Sequence, residues 1–176
     1  MKGDNMEERT GIITMKGEPL TLQGKELKEG DQAPDFEVLD NDLKQVKLSS
    51  FLGKVCIIAS VPSLDTPVCD METRRFNEEA GKLSDEVHIL TISMDLPFAQ
   101  KRWCGAAGVD KVITLSDHLD ASFGTAYGIL IKELRLLARS VFVLDREGII
   151  RYIQIVKDIT NEPDYNAVIE AVKKLI

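Results

Sequence analysis

The sequence predicts an α/β fold: a mixed central sheet flanked by helices, preceded by an amino-terminal β-hairpin. Three observations predict it. From Lys54 onward, apolar runs rich in β-branched residues alternate with segments bracketed as helices. The runs "KVCIIASV" and "EVHILTISM" are nearly continuous in apolar character, as strands covered on both faces must be. Ahead of them, "GIITMKGEPLTLQG" holds two short segments, Ile12 to Met15 and Leu20 to Gln23, around the turn signal Gly17 to Pro19.

Taken in order, residues 1–10 read as a charged tail that need not be ordered, and residues 11–176 as one domain, undivided by repeats, low-complexity tracts or linkers. The hairpin is followed by "KEGDQAPDFEVLD", a loop and short strand, and by "LSSFLGK", a loop with one helical turn. "KVCIIASV" is the first buried strand. The segment "TPVCDMETRRFNEEAGKL" has Thr66 as N-cap, Pro67 at the first helical position and Gly81 near the carboxyl end, which together bracket a helix.

The unit then repeats. "EVHILTISM" is the second strand, and "DLPFAQKRWCGAAG" is a short helix entered through Pro97. "KVITLSD" is a third strand, and "HLDASFGTAYG" a short helical stretch. "LARSVFVLDREGIIRYIQIV" gives two strands around the turn "DREG", and "EPDYNAVIEAVKKLI" a terminal amphipathic helix. The resulting order, β-α-β-α-β-α-β-β-α, calls for right-handed crossovers between parallel strands.

Composition excludes several classes. With 29 acidic against 22 basic residues and a net charge of −7, a polyphosphate backbone is repelled on average, so nucleic acid is not an expected partner. No apolar run approaches the roughly 18 residues that span a bilayer, and "MKGDNMEERTG" lacks the apolar core of a secretory signal. A cytoplasmic protein is expected. In that reducing setting three widely spaced cysteines point to buried, catalytic or redox-sensing thiols rather than to a disulfide framework. His88 in an apolar strand and His118 in a polar loop form no Cys/His cluster of metal-like spacing, so neither metal nor cofactor is expected.

The chemistry concentrates in "SVPSLDTPVCD", Ser60 to Asp70. With Thr66 as N-cap and Pro67 at N1, Cys69 falls at N3, where unpaired backbone N–H groups and the helix macrodipole favour a thiolate over a neutral thiol. Thr66 can set a hydroxyl beside the sulfur. Asp70 opposes the thiolate if it points inward, so a compensating cation is wanted. Arg74, Arg75, Arg135 and Arg139 are the candidates, and Arg139 alone immediately precedes a buried strand, "SVFVLD". Cys56, within a strand, reads as a small core hydrophobe. Trp103 reads as packing or a pocket cover.

"PSLDTPVC" matches the P-x-x-x-[T/S]-x-x-C motif of the peroxiredoxins through Pro62, Thr66 and Cys69. The hairpin leading to "GDQAPDF", the segment "DLPFAQKRWCGAAG" and "LLARSVFVLD" resemble the bacterial thiol peroxidase subfamily, the atypical two-cysteine peroxiredoxins, from Gly11 to Ile176. The missing proline after Cys69 departs from the wider superfamily and agrees with that subfamily. The resemblance implies a thioredoxin-like fold and a peroxidase that reduces hydrogen peroxide and organic hydroperoxides, serving antioxidant defence. It implies that Cys69 is the peroxidatic cysteine, that Thr66 and Arg139 bind the peroxide and stabilise the thiolate, and that Pro62 shields the pocket. Cys104 matches the resolving cysteine, which forms an intramolecular Cys69–Cys104 disulfide reduced by thioredoxin; a homodimer is also implied.

Three other readings compete. A one-cysteine peroxidase would leave Cys104 structural, and a redox sensor would use Cys69 without turnover. A thioredoxin-like disulfide oxidoreductase is disfavoured because no C-x-x-C occurs.

Overall fold

The computed structural model describes residues 6–80, 82–83 and 85–176. Residues 1–5 of the expected tail, and Gly81 at the expected end of the first helix, lie outside the described residues. Glu8–Thr10 differ from expectation: the first strand, β1 (Glu8–Met15), begins inside the segment read as tail. Arg9 explains why, because its guanidinium donates to the carbonyls of Gly24 and Gly128 and ties the strand to the body of the domain.

β1 pairs antiparallel with β2 (Glu18–Gln23), joined by a turn in which Lys16 and Gly17 both have positive φ. That is the geometry of a two-residue hairpin whose twist suits its strands. Then come β3 (Glu37–Leu39), β4 (Gln45–Lys47) and a single 3₁₀ turn, Leu48–Phe51. β5 (Val55–Ser60) leads into α1 (Pro67–Ala80), β6 (Val87–Ser93), α2 (Pro97–Ala107), β7 (Ile113–Ser116) and α3 (Ser122–Ala126). The chain continues through β8 (Leu130–Ile131) and β9 (Leu136–Leu137), then β10 (Ser140–Leu144), β11 (Ile150–Ile155) and α4 (Tyr165–Lys173).

The main sheet has the order β11-β10-β5-β6-β7-β3-β4, with β5, β6 and β7 parallel and the remaining neighbours antiparallel. It is the mixed sheet that the alternating runs predict. Every residue of β5 is buried, with Cys56 and Ile58 in one apolar cluster and Val55, Ile57 and Ala59 in another, so both faces are covered. α2 ends at Gly108, whose φ of 67° provides the left-handed cap.

A second sheet, β1-β2-β8-β9, is only half expected: the hairpin is legible, whereas β8 and β9 are not, and neither is β4 at the edge of the main sheet. β8 and β9 have two residues each, too few for any periodicity to register. Among the described residues no helix is long and apolar enough to cross a membrane.

The hairpin leaves β2 at Gly24, with φ of 109°, where a Cβ would overlap the Thr125 carbonyl oxygen. Gly24→Ala is expected to destabilise the protein by about 3 kcal/mol through combined strain and overlap. A denaturant midpoint with an unchanged m-value measures it.

Candidate active site

The loop between β5 and α1 is short and held from two sides. Asp95, following β6, accepts from Ser63 Oγ at 2.7 Å and from the Leu64 amide at 2.8 Å. Pro62 is buried beside it. Thr66 caps α1 as its position predicts, with Oγ1 accepting from the Cys69 amide at 3.3 Å. Its own hydroxyl proton goes to the Ser63 carbonyl at 3.1 Å, so in this structure Thr66 fixes the loop rather than donating to the sulfur.

Cys69 is fully buried among Val61, Leu64 and Trp103. Its sulfur accepts from Arg139 Nη2 at 3.1 Å. Among the four candidate cations, this one alone is buried. Arg74 and Arg75 lie on the surface of α1, paired with Asp70 and Glu79, and Arg135 lies in the exposed turn between β8 and β9. Asp70 is turned to other partners: its carboxylate accepts from Arg74 Nε at 2.9 Å and Trp103 Nε1 at 2.8 Å.

Arg139 immediately precedes β10, as expected, and every arm of its guanidinium is used. Nε donates to the Ile159 carbonyl at 3.0 Å and Nη1 to Glu72 Oε2 at 2.5 Å. Glu72 went unread in the sequence, although a signal exists: Cys69, Glu72, Thr73 and Phe76 make the buried stripe of α1 at helical spacing. A glutamate within such a stripe needs a buried cation. Burial pushes the Glu72 carboxyl up to about 7, and the Arg139 guanidinium pulls against that shift without cancelling it. Its Oε1 has no hydrogen-bond partner among the described residues.

Pro62, Thr66 and Arg139 come together as walls of a cavity of about 300 Å³. Met15 and Lys16, at the tip of the β1–β2 hairpin, and Ile159 supply further wall. The hairpin is fastened there by Asp158, which accepts from Thr14 Oγ1 at 2.8 Å and the Gly17 amide at 3.1 Å. Donation from the Thr160 hydroxyl and amide, and from Thr14, holds the Asp158 carboxyl well below the usual range.

The described residues lining this cavity include neither the fully buried Cys69 nor Cys104. Cys104 lies partly exposed on α2, 3.3 Å from Thr114 Oγ1, whose hydroxyl donates to Asn41 and so leaves the thiol as donor. Both cysteines are free thiols with different partners: Arg139 immediately before β10 and Thr114 in β7, with β5 and β6 between those two strands. Cys56 is buried in β5, with its thiol pushed up to about 12 by burial, as befits a core residue.

The Redoxin family matches residues 28–169. The chain is 62% identical over 164 residues to a thiol peroxidase of Bacillus subtilis, covering 93% of this chain and 98% of that protein. It is 57% identical over 163 residues to a thiol peroxidase of Staphylococcus aureus, with 93% and 98% covered. A peroxiredoxin-like protein from Aquifex aeolicus, of solved structure, superposes with a TM-score of 0.89 at 44% identity, covering 97% of this chain and 99% of that one.

The raised Glu72 carboxyl has a signed consequence. Below pH 4.5 it is protonated folded and unfolded alike; between there and about 7 the unfolded chain sheds the proton and the folded one keeps it, so this group's contribution to stability falls as pH rises. Glu72→Gln lacks that titration. The stability of the wild type relative to Glu72→Gln is therefore expected to fall by on the order of 2–3 kcal/mol across that window, measured by denaturation at a series of pH values.

Proposed function

The chain belongs to the Redoxin family, and from that premise we propose that it is a thiol-dependent peroxidase with Cys69 as its nucleophile. The observation that carries the reading is the 3.1 Å contact between a buried guanidinium and a buried thiol at the first turn of a helix. Cation and helix terminus both lie against the sulfur that, as thiolate, is the attacking species. The thiolate attacks the terminal oxygen of ROOH and the O–O bond breaks. The departing RO⁻ takes a proton to give ROH, and Cys69 becomes a sulfenic acid. Arg139, already a wall of the cavity, lies where charge passes from sulfur to the leaving oxygen. Thr66 and Pro62 shape the entrance, and the apolar side chains of Met15, Val68 and Ile159 suit an organic hydroperoxide as well as hydrogen peroxide.

In this reading Cys104 resolves the sulfenic acid to an intramolecular disulfide, and thioredoxin reduces it, in a cytoplasmic homodimer. The placement of a free, partly exposed thiol on the neighbouring helix supports it. One observation favours a one-cysteine peroxidase instead: the two thiols are turned to different partners, Cys69 to Arg139 and Cys104 to Thr114, rather than to each other. The two-cysteine route therefore requires the first turn of α1 and the end of α2 to unwind.

Thiol counting after one equivalent of peroxide separates the readings. The three thiols are expected to fall to one, with Cys56 left free and Cys69 joined to Cys104 in non-reducing peptide maps. Loss of the Cys69 thiol alone would select the one-cysteine mechanism. Arg139→Lys, which cannot serve three acceptors in a plane, is expected to slow the first oxidation by about 100-fold or more, read by stopped flow.

A further inference from the structure

The residues next to the two cysteines are bonded to each other. Trp103, the chain's single tryptophan, donates from Nε1 to Asp70 Oδ1 at 2.8 Å, and its ring packs against Val61, Leu64 and Cys69. Arg74 completes the contact, donating to Asp70 at 2.9 Å, lying 5.8 Å from the Trp103 ring centroid, and donating from Nη1 to the Ala107 carbonyl at 3.1 Å. The first turn of α1 is thereby fastened to the last turn of α2, the turn that carries Cys104.

Consecutive residues of a helix project about 100° apart. While Trp103 faces α1, Cys104 cannot, and its thiol is turned to Thr114. We propose that Trp103, held by Asp70 and Arg74, is a positioning residue that latches the two cysteine-bearing helices in the peroxide-receiving arrangement and must let go before Cys104 reaches Cys69. The inference rests on the two-cysteine reading above. The latch is of a strength that opens readily, since the side chains of Arg74 and Asp70 are 48% and 35% exposed and their attraction is screened.

Its hold sets a competition at the sulfenic acid. Condensation gives Cys69–S–S–Cys104 and water, from Cys69–SOH and Cys104–SH. A second peroxide instead gives Cys69–SO₂H and ROH, oxidising the sulfur while the O–O bond is reduced. Only the first route needs the latch open, so a weaker latch shifts the partition toward disulfide.

Trp103→Phe keeps a ring but deletes the N–H; Arg74→Ala removes the brace from the helix surface. Each variant, the wild type and Cys104→Ser would be titrated with hydrogen peroxide, and sulfinic acid and disulfide at Cys69 quantified by mass spectrometry. The peroxide concentration giving half sulfinic acid is expected to rise about fivefold in the two latch variants, the scale of one partly exposed hydrogen bond to a charged group. Gly24→Ala, which loosens the domain away from the latch, is expected to partition as the wild type does, separating the latch from general destabilisation. Should Trp103→Phe fail to fold, Arg74→Ala carries the test. A wild type that forms no Cys69–Cys104 disulfide, matching Cys104→Ser, overturns the two-cysteine reading and the latch with it. A wild type that forms the disulfide while both latch variants partition unchanged overturns the latch alone.

Discussion

A buried guanidinium is costly unless every arm finds a partner. Arg139 meets that condition with one sulfur, one carboxylate and one backbone carbonyl, and each acceptor belongs to a different demand on the fold. α1 must present Cys69 and Glu72 on one face, three residues apart. The chain entering β10, an interior strand of the sheet, must deliver the arginine. The segment after β11 must pass close enough for the Ile159 carbonyl to accept. Glu72 then has the dual character expected of such a site: it is needed to keep the cation in place, yet it draws positive charge away from the thiol.

The same segment after β11 joins the site to the small sheet. Ile159 also donates its amide to the Thr14 carbonyl, and Thr14 donates its amide to the Lys157 carbonyl, so the hairpin tip and the Arg139 anchor share one short stretch of backbone. On the opposite side Asp95 and Ser93 fix the loop before α1, and Gln100 of α2 donates to the Ser93 hydroxyl. The site is thus gripped by two hydrogen-bonded seams, one reaching the hairpin and one reaching α2.

Much of this was legible in the sequence because it depends on local chemistry. The threonine cap, the proline at N1 and the sulfur at N3 are fixed by neighbours, and the central strands by their continuous apolar character. Arg139 could be singled out because it abuts a buried strand. What escaped depends on partners distant along the chain. β8 joins the small sheet because Leu130 and Ile131 pair with Gln23 and Leu22, and Glu72 is a core residue because Arg139 reaches it. Thr66 shows the limit on local evidence as well, since position predicted the hydroxyl near the sulfur while the Ser63 carbonyl claimed its proton.

The bond between Thr14 and Asp158 spans 144 residues of sequence. A chain emerging from the ribosome makes Met15 and Lys16 long before Ile159, and they have nothing to close over until the segment after β11 arrives. Closing so long a loop is slow and comes late. The pocket therefore forms only after that segment is made, and a chain stopped before it carries Cys69 without the hairpin wall or the Ile159 anchor of Arg139. The site is complete only when its hairpin meets the segment after β11.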